Sequence, residues 1–387
     1  MAYDFTTLRD GFAQGSYKWN AMKEQMPEVP SGIVPLSVAD MEFVLAEEIR
    51  QGIGDALQTT IIGYNTPTQG YYDAVIRWMK EQHDWTITKE SIIPYQGVVP
   101  MIARGVRAFS QEGDGVLILS PVYHPFRRVI EEAGRKTVVS SLLEEDGVYT
   151  IDFPDLDKKA AEAKILLFCS PHNPVGRVWD VEELKKVAEI AKKHNLLVIS
   201  DEIHHDLSLT KTHTVFSKVA DGVKHVVTTA PTKTFNLAGA KVSNLIVEDP
   251  ALRETFLLEE PLTPSVLGLI ACEQAYDKGG AWLLALKEQI KENEAAFRAI
   301  LRQKAPNLRV SPLEGTYLLW VDLRALGQEK EELERMVKEA YLFPNFGDLF
   351  GEEGLGFIRI NLAAPKQVIV EAAERLADRI DKRACCW

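Results

Sequence analysis

Four short apolar runs recur through the middle of the chain, and they limit its fold more than any other feature. Gly115–Ser120 (GVLILS), Lys164–Ser170 (KILLFCS), Leu196–Ser200 (LLVIS) and Val226–Thr229 (VVTT) are continuous rather than alternating. A strand with one wet face alternates apolar and polar residues, so a continuous run marks a strand covered on both faces. Amphipathic stretches lie between them. Phe126–Gly134 follows the first run, and Val181–Asn195 (VEELKKVAEIAKKHN) repeats its apolar residues at spacings of three and four. This alternation predicts an α/β fold, a mostly parallel sheet with helices on both faces. Ligands of such sheets sit beyond the carboxyl ends of the strands, and that is where chemistry is to be sought.

After about residue 280 the pattern changes. Trp282–Lys304 reads as one long helix, and Tyr317–Asp322 and Gly356–Asn361 read as strands around a helix near Lys330–Ala340. That arrangement predicts a smaller α+β domain. The first forty residues carry turns and little periodicity, as expected of an arm packed on another element. No internal repeat or low-complexity segment interrupts the 387 residues, a length that fits two or three domains.

Composition narrows the partners. Lys and Arg total 44 against 56 Asp and Glu, a formal charge of −12, which argues against phosphate-backbone binding. No apolar run approaches the ~18 residues of a membrane span. The start, MAYDFTTLRDGF, lacks the basic and apolar regions of a secretory signal. The four cysteines (Cys169, Cys272, Cys385, Cys386) form no CxxC pair, and the last two read as tail residues. A reducing cytoplasm is the expected setting.

Four strand ends carry polar residues able to converge: Pro121-Val122-Tyr123, the proline-braced Ser170–Gly176 turn with Asn173, Ser200-Asp201-Glu202-Ile203-His204, and Ala230–Phe235 with Lys233. A strand-end Asp usually caps a helix, a loop Lys is usually solvated, and a Tyr usually packs. Four such ends in order, on the ligand-binding edge, outweigh those readings. A fifth element, Gln96-Gly97-Val98-Val99-Pro100, opens a helical stretch whose free N–H groups suit a phosphate.

In their order and spacing, SPHNPVG, SDEIHHDL and APTKTFNLAGAKVSN resemble the cofactor-binding segments of fold type I pyridoxal-phosphate enzymes, the aminotransferase class I/II superfamily. YKWN (17–20), PLSVADMEF (35–43), GYNTPTQGYYDAVIRWM (63–79), QGVVPMI (96–102) and SPVYHPF (120–126) point within it to the MalY/PatB-type cystathionine β-lyases. DEIHHDL (201–207), EGTYLLWVDLR (314–324) and GFIRINLAAP (356–365) extend the likeness to nearly the whole chain.

The resemblance implies pyridoxal 5'-phosphate as cofactor and assigns roles. Lys233 would be joined to the cofactor aldehyde and, once freed, act as base at Cα. Asp201 would keep the pyridine nitrogen protonated, Asn173 would bond the phenolic oxygen, and Tyr123 would stack on the ring. Lys233, Tyr123 and Asp201 form the implied catalytic set. His204 stands where aminotransferases usually carry tyrosine. The phosphate would rest on Val98 and Val99 backbone groups and the Thr232 hydroxyl. Ala230 replaces the usual phosphate-binding serine, and Lys241 replaces the usual arginine, keeping a charge without a two-pronged contact. Arg359 would take the substrate carboxylate as a bidentate pair, with backbone near Ala39 approaching it. Tyr64 would reach cofactor and substrate from a second subunit, implying a homodimer. The implied division is a large cofactor domain, 41–280, and a smaller one from 1–40 with 281–387.

No metal is expected: His172, His205, His213 and His225 lack ligand spacing, and the neighbours His204 and His205, beside Asp201 and Asp206, point apart. Glu202 reads as a structural partner. The implied activity is β-elimination from cystathionine or a related cysteine S-conjugate, giving a thiol, pyruvate and ammonia. An aminotransferase shares the early steps and stands as the alternative, with a regulatory protein on an enzyme scaffold as the third reading.

Overall fold

The computed structural model describes residues 3–384, so the tail cysteines Cys385 and Cys386 lie outside the described residues. Its centre is a seven-stranded sheet of β1 (Ile92–Tyr95), β2 (Gly115–Ser120), β3 (Lys136–Ser141), β6 (Ile165–Cys169), β7 (Leu197–Asp201), β8 (His225–Thr229) and β9 (Ser243–Ile246). The spatial order is β1-β9-β8-β7-β6-β2-β3. The block from β8 to β3 is parallel, while β9 pairs antiparallel with both β8 and β1. A two-stranded ribbon, β4 (Leu143–Glu145) with β5 (Val148–Thr150), lies beside it.

The four apolar runs are β2, β6, β7 and β8, and they are neighbours in the middle of the sheet. Their residues divide between two cores. Val116, Ile118, Ile165 and Leu167 pack with Met101, Ile102 and Val106 of helix Val98–Phe109. Leu117, Leu119, Leu166 and Phe168 pack with Leu184, Val187 and Ala191 of helix Val181–Lys193. Each strand is buried on both faces because successive side chains point opposite ways. Full burial of one such side chain contributes roughly 1.5–3 kcal/mol.

A second, antiparallel sheet runs β10 (Arg309–Val310), β11 (Leu318–Asp322), β13 (Phe357–Asn361) and β12 (Asn345–Phe346). Helices Gly280–Lys304 and Lys366–Ala384 pack against each other beside it. The arm does pack on this part. Leu36 N–H donates to Phe343 O, and Asn361 N–H donates to Leu36 O. It also holds helix Tyr17–Gln25, which its weak periodicity does not announce. One apolar cluster includes Leu36 and Ala39 from the arm, Trp78 from helix Gln69–His83, Val227 from β8 and Leu318 from β11, so the two sheets share a core.

Candidate active site

The ends of β2, β6, β7 and β8 open on a cavity of about 340 Å³, lined from those strands by Tyr123, Asn173, Asp201, His204, Thr232 and Lys233. Ala39 from the arm, Val98 and Val99, and Lys241 complete its expected wall.

Register sets Asp201. It ends β7 between Cys169 of β6 and Thr228 of β8, and it is buried. Ile203 N–H and the Thr228 hydroxyl both donate to its Oδ1 at 3.2 Å, leaving Oδ2 for a ligand. Burial pushes this carboxyl up to about 6 despite those two bonds. Lys233 is the third residue of the short helix Pro231–Thr234 that leaves β8, and its Nζ donates to Ala39 O at 2.5 Å. Burial lowers the amine to about 8; Arg359 adds to the fall, while Asp40 and Asp201 oppose it. His204 is buried with Nδ1 unpartnered and its ring edge-on to Tyr317, and burial holds it well below its ordinary value, hence neutral.

In the wall of the same cavity, Gly97 precedes helix Val98–Phe109 with φ 96° and ψ 153°, a conformation open essentially to glycine. The first N–H groups of a helix have no intrahelical partner, and Pro100 sits in that first turn where its missing N–H costs nothing. Lys241, held in a left-handed conformation at φ 48°, lines the same cavity. Ala230 is fully buried and offers no hydroxyl.

Arg359 does not line the cavity but lies beside it. Its Nη1 donates to Asn173 Oδ1 at 2.8 Å and its Nη2 to Asn345 Oδ1 at 2.7 Å, while Nε is unpartnered. The guanidinium also sits over the Phe350 ring, and burial pulls its pKa down to about 10. Asn173 therefore accepts through its oxygen, and its amide nitrogen remains available as a donor. Tyr64 is brought to no site within the single chain. It is fully exposed, next to exposed Ile61 and Ile62.

The structure gives roles to residues to which the sequence assigned none. Thr228 holds Asp201. Asn345 Oδ1 also accepts from Val38 N–H, and Asn361 Nδ2 donates to Val38 O and Asp40 O. These bonds clamp Val38 at φ 57°, strained for a β-branched residue. Lys18, from YKWN, is buried against Asp40 and Glu42 at 2.8 and 2.7 Å. Only the Thr228 signal was local, since that residue sits in the VVTT run. Glu202 is a structural partner as expected, accepting from Ser200 Oγ and Phe216 N–H and facing His213 Nε2 at 2.7 Å. His204 and His205 do point apart: the first lines the cavity, the second faces Asp206.

The aminotransferase class I and II family model matches residues 32–376. The chain belongs to that family. Cystathionine beta-lyase PatB of Bacillus subtilis (strain 168) is 37% identical, over 96% of this chain and 98% of its own. Protein MalY of Escherichia coli (strain K12) is 30% identical, over 98% and 99%. Cystalysin from Treponema denticola, whose crystal structure contains pyridoxal 5'-phosphate, superimposes with a TM-score of 0.96 at 43% identity, covering 99% of this chain and 100% of its own. The fold is thus that of the fold type I pyridoxal-phosphate enzymes, and the family members similar to this chain include carbon–sulfur lyases as well as aminotransferases.

Proposed function

We propose that the protein is a pyridoxal-phosphate-dependent C–S β-lyase that cleaves cystathionine or related cysteine S-conjugates to a thiol, pyruvate and ammonia. The observation that carries this reading is the meeting of Lys233, Asp201 and Asn173 around one cavity, with Arg359 bonded to Asn173 at its edge. The residues fit the cofactor. Asp201 keeps its second oxygen unbonded at the cavity, and Lys241, Val98 and Val99 at a helix N-terminus, and Thr232 line the same cavity as candidates for the phosphate. When bound, pyridoxal phosphate supplies an electron sink for the pair released from the substrate Cα–H bond.

The chain's own groups do the rest. Asp201, ionised above about pH 6, would pair with a protonated ring nitrogen and hold the proton there. The Tyr123 ring and neutral His204 both line the cavity, where Tyr123 would cover a face of the cofactor and His204 would add no charge. Arg359 binds the α-carboxylate and orients the Cα–H bond toward Lys233, whose lowered pKa leaves a useful fraction of free amine to take the proton. The Ala39 carbonyl, already bonded to Lys233, marks the amine's resting position. A second cavity, of about 320 Å³, shares Tyr123 and is lined by His124, Arg127, Asp348 and Glu352, giving room and charge for a polar sulfur leaving group.

The same reading makes the enzyme a homodimer, supported by the exposed Ile61, Ile62 and Tyr64 loop. It divides the chain into a cofactor domain, 41–280, and a smaller domain from the remainder. It places the enzyme in a reducing cytoplasm, with which the buried free thiols of Cys169 and Cys272 agree. Among the described residues no helix is long and apolar enough to cross a membrane.

The deciding experiment is incubation of the holoenzyme with cystathionine and no added keto acid. Release of pyruvate and a thiol in equal amounts is expected. A requirement for a keto acid, with no thiol formed, overturns the lyase reading in favour of transamination. Loss of the visible band of the lysine-bound cofactor in Lys233→Ala checks the attachment.

A further inference from the structure

One residue along the chain from Lys233, Thr234 donates its hydroxyl to Asp206 Oδ2 at 2.7 Å. That bond leads into a buried cluster which the proposed chemistry does not use. Asp206 Oδ1 faces Trp78 Nε1 at 3.0 Å and His83 Nε2 at 2.7 Å. His205 Nε2 makes an ion-pair contact of 3.3 Å with Oδ2 outside hydrogen-bond geometry, and its Nδ1 has no partner although the side chain is wholly buried. An unsatisfied buried polar group costs about 1–3 kcal/mol, so a wholly buried ring with no hydrogen bond at either nitrogen has donor capacity to give to a ligand. The His83 ring stacks on His205 with centroids 4.2 Å apart and 23° between planes. His213, its own Nδ1 unpartnered, stands about 6 Å from each ring, at 6.0 and 6.2 Å.

The donor atoms of His83, His205 and Asp206 all lie within 4.8 Å of one another. Donors ~2.0–2.1 Å from a tetrahedral zinc ion stand about 3.3–3.4 Å apart, so a small splay of the stacked rings closes the set. We propose that His83, His205 and Asp206 bind a divalent transition-metal ion of the zinc type. Two imidazoles and one carboxylate favour Zn²⁺, Co²⁺ or Ni²⁺ over Mg²⁺ or Ca²⁺. The Trp78 N–H and Thr234 hydroxyl orient the carboxylate from outside, as second partners of metal ligands do. Metal at His83 Nε2 moves that ring's proton to Nδ1, with no change of oxidation state. Glu202, paired with His213, adds a nearby negative charge. His83, with a side chain 5% exposed, forms the outer edge of the group and the way in.

The ion would tie the end of helix Gln69–His83 to the turn His205–Leu207 and, through Thr234, to the lysine-bearing segment. Its role is structural, because no donor among these three lines the catalytic cavity.

The test uses untagged holoenzyme with Cys385 and Cys386 replaced by serine, so that thiols near the chain end do not compete. Titration with Co²⁺ should give one ion per chain with visible d–d bands, displaced by Zn²⁺, and Zn²⁺ but not Mg²⁺ should raise the melting temperature. His83→Gln and His205→Phe should each weaken binding at least 10-fold. Crystals of the unaltered protein soaked in Zn²⁺ should show an anomalous peak between the three side chains, a readout independent of how the variants fold. No stoichiometric binding, affinity unchanged in both variants, or an anomalous peak elsewhere with only water in the cluster each overturns the proposal.

Discussion

Replacing Asp201 with asparagine should stabilise the cofactor-free protein while crippling it as an enzyme. The wild-type carboxyl is buried and raised from the ordinary 3.8 to about 6. At about 1.36 kcal/mol per pH unit, the ionised form costs the folded state about 3 kcal/mol relative to the unfolded chain. The sign follows from proton binding: between those two values the folded protein holds the proton more often, so this residue's penalty is absent below about pH 4, grows as pH rises, and is complete above about pH 6. Asparagine removes the charge and keeps an oxygen for Ile203 N–H and Thr228. Its new amide N–H₂ loses water at a cost of about 1 kcal/mol, so the net gain at pH 7.5 is about 2 kcal/mol. Urea unfolding of both apo-proteins at one protein concentration, from pH 4 to 8, measures it. The stability difference should reach its full value above pH 6, fall through zero as pH drops, and leave the variant slightly the less stable near pH 4. Pyridoxal phosphate should stabilise the wild type more than the variant. An apo variant no more stable than wild type at pH 7.5, or a difference independent of pH, refutes the reasoning.

Other consequences are equally direct. In Gly97→Ala the nearest side-chain atom to the new Cβ is 3.8 Å away, so sterics are not the issue; the backbone conformation itself should cost about 1–3 kcal/mol and weaken cofactor affinity about 10-fold or more, read by titrating the apo-protein. Arg359→Lys keeps the charge but loses the fork and leaves Asn173 and Asn345 without their donors, so kcat/KM should fall roughly 10–100-fold or more, with cofactor affinity much less affected. Tyr64→Ala and Lys233→Ala should each be nearly inactive alone, and mixing the two after dissociation should restore activity through heterodimers holding one intact site; no recovery refutes a shared active site.

The legibility of this chain follows the distance over which each feature is determined. β2, β6, β7 and β8 were readable because double-sided burial writes itself as an uninterrupted apolar run. β1 carries Pro94, β9 opens on Ser243 and Asn244, and β3 is an edge strand with Lys136 exposed, so none of these three shows that signature. Helix Tyr17–Gln25 hides for another reason. It buries a lysine, and the two carboxylates that make this tolerable lie some twenty residues further on. In the site, Tyr123, Asn173, Asp201 and Lys233 stand at or just beyond strand ends and could be read locally. Arg359 came from resemblance to the family, since an arginine inside a buried strand has no local cue to its role. Asn345 and Asn361 act across more than 300 residues of chain on Val38. His83 meets Asp206 across 123 residues. Such pairings are set by tertiary packing, which periodicity does not encode.

The double-sided burial of the central strands has a consequence for how such a scaffold changes its chemistry. The side chains from Val116 to Leu119 in β2 and all along β6 are committed to one core or the other, so a substitution there alters packing before it alters a reaction. The residues just beyond the strand ends carry few of those obligations and face the reactants. Variation can therefore accumulate at the rim, such as a histidine at 204 or a lysine at 241, while the framework beneath keeps its dimensions. A library confined to positions following the strands should yield altered reaction preferences with little loss of folded protein, whereas one of equal size within the strands should chiefly yield unfolded chains.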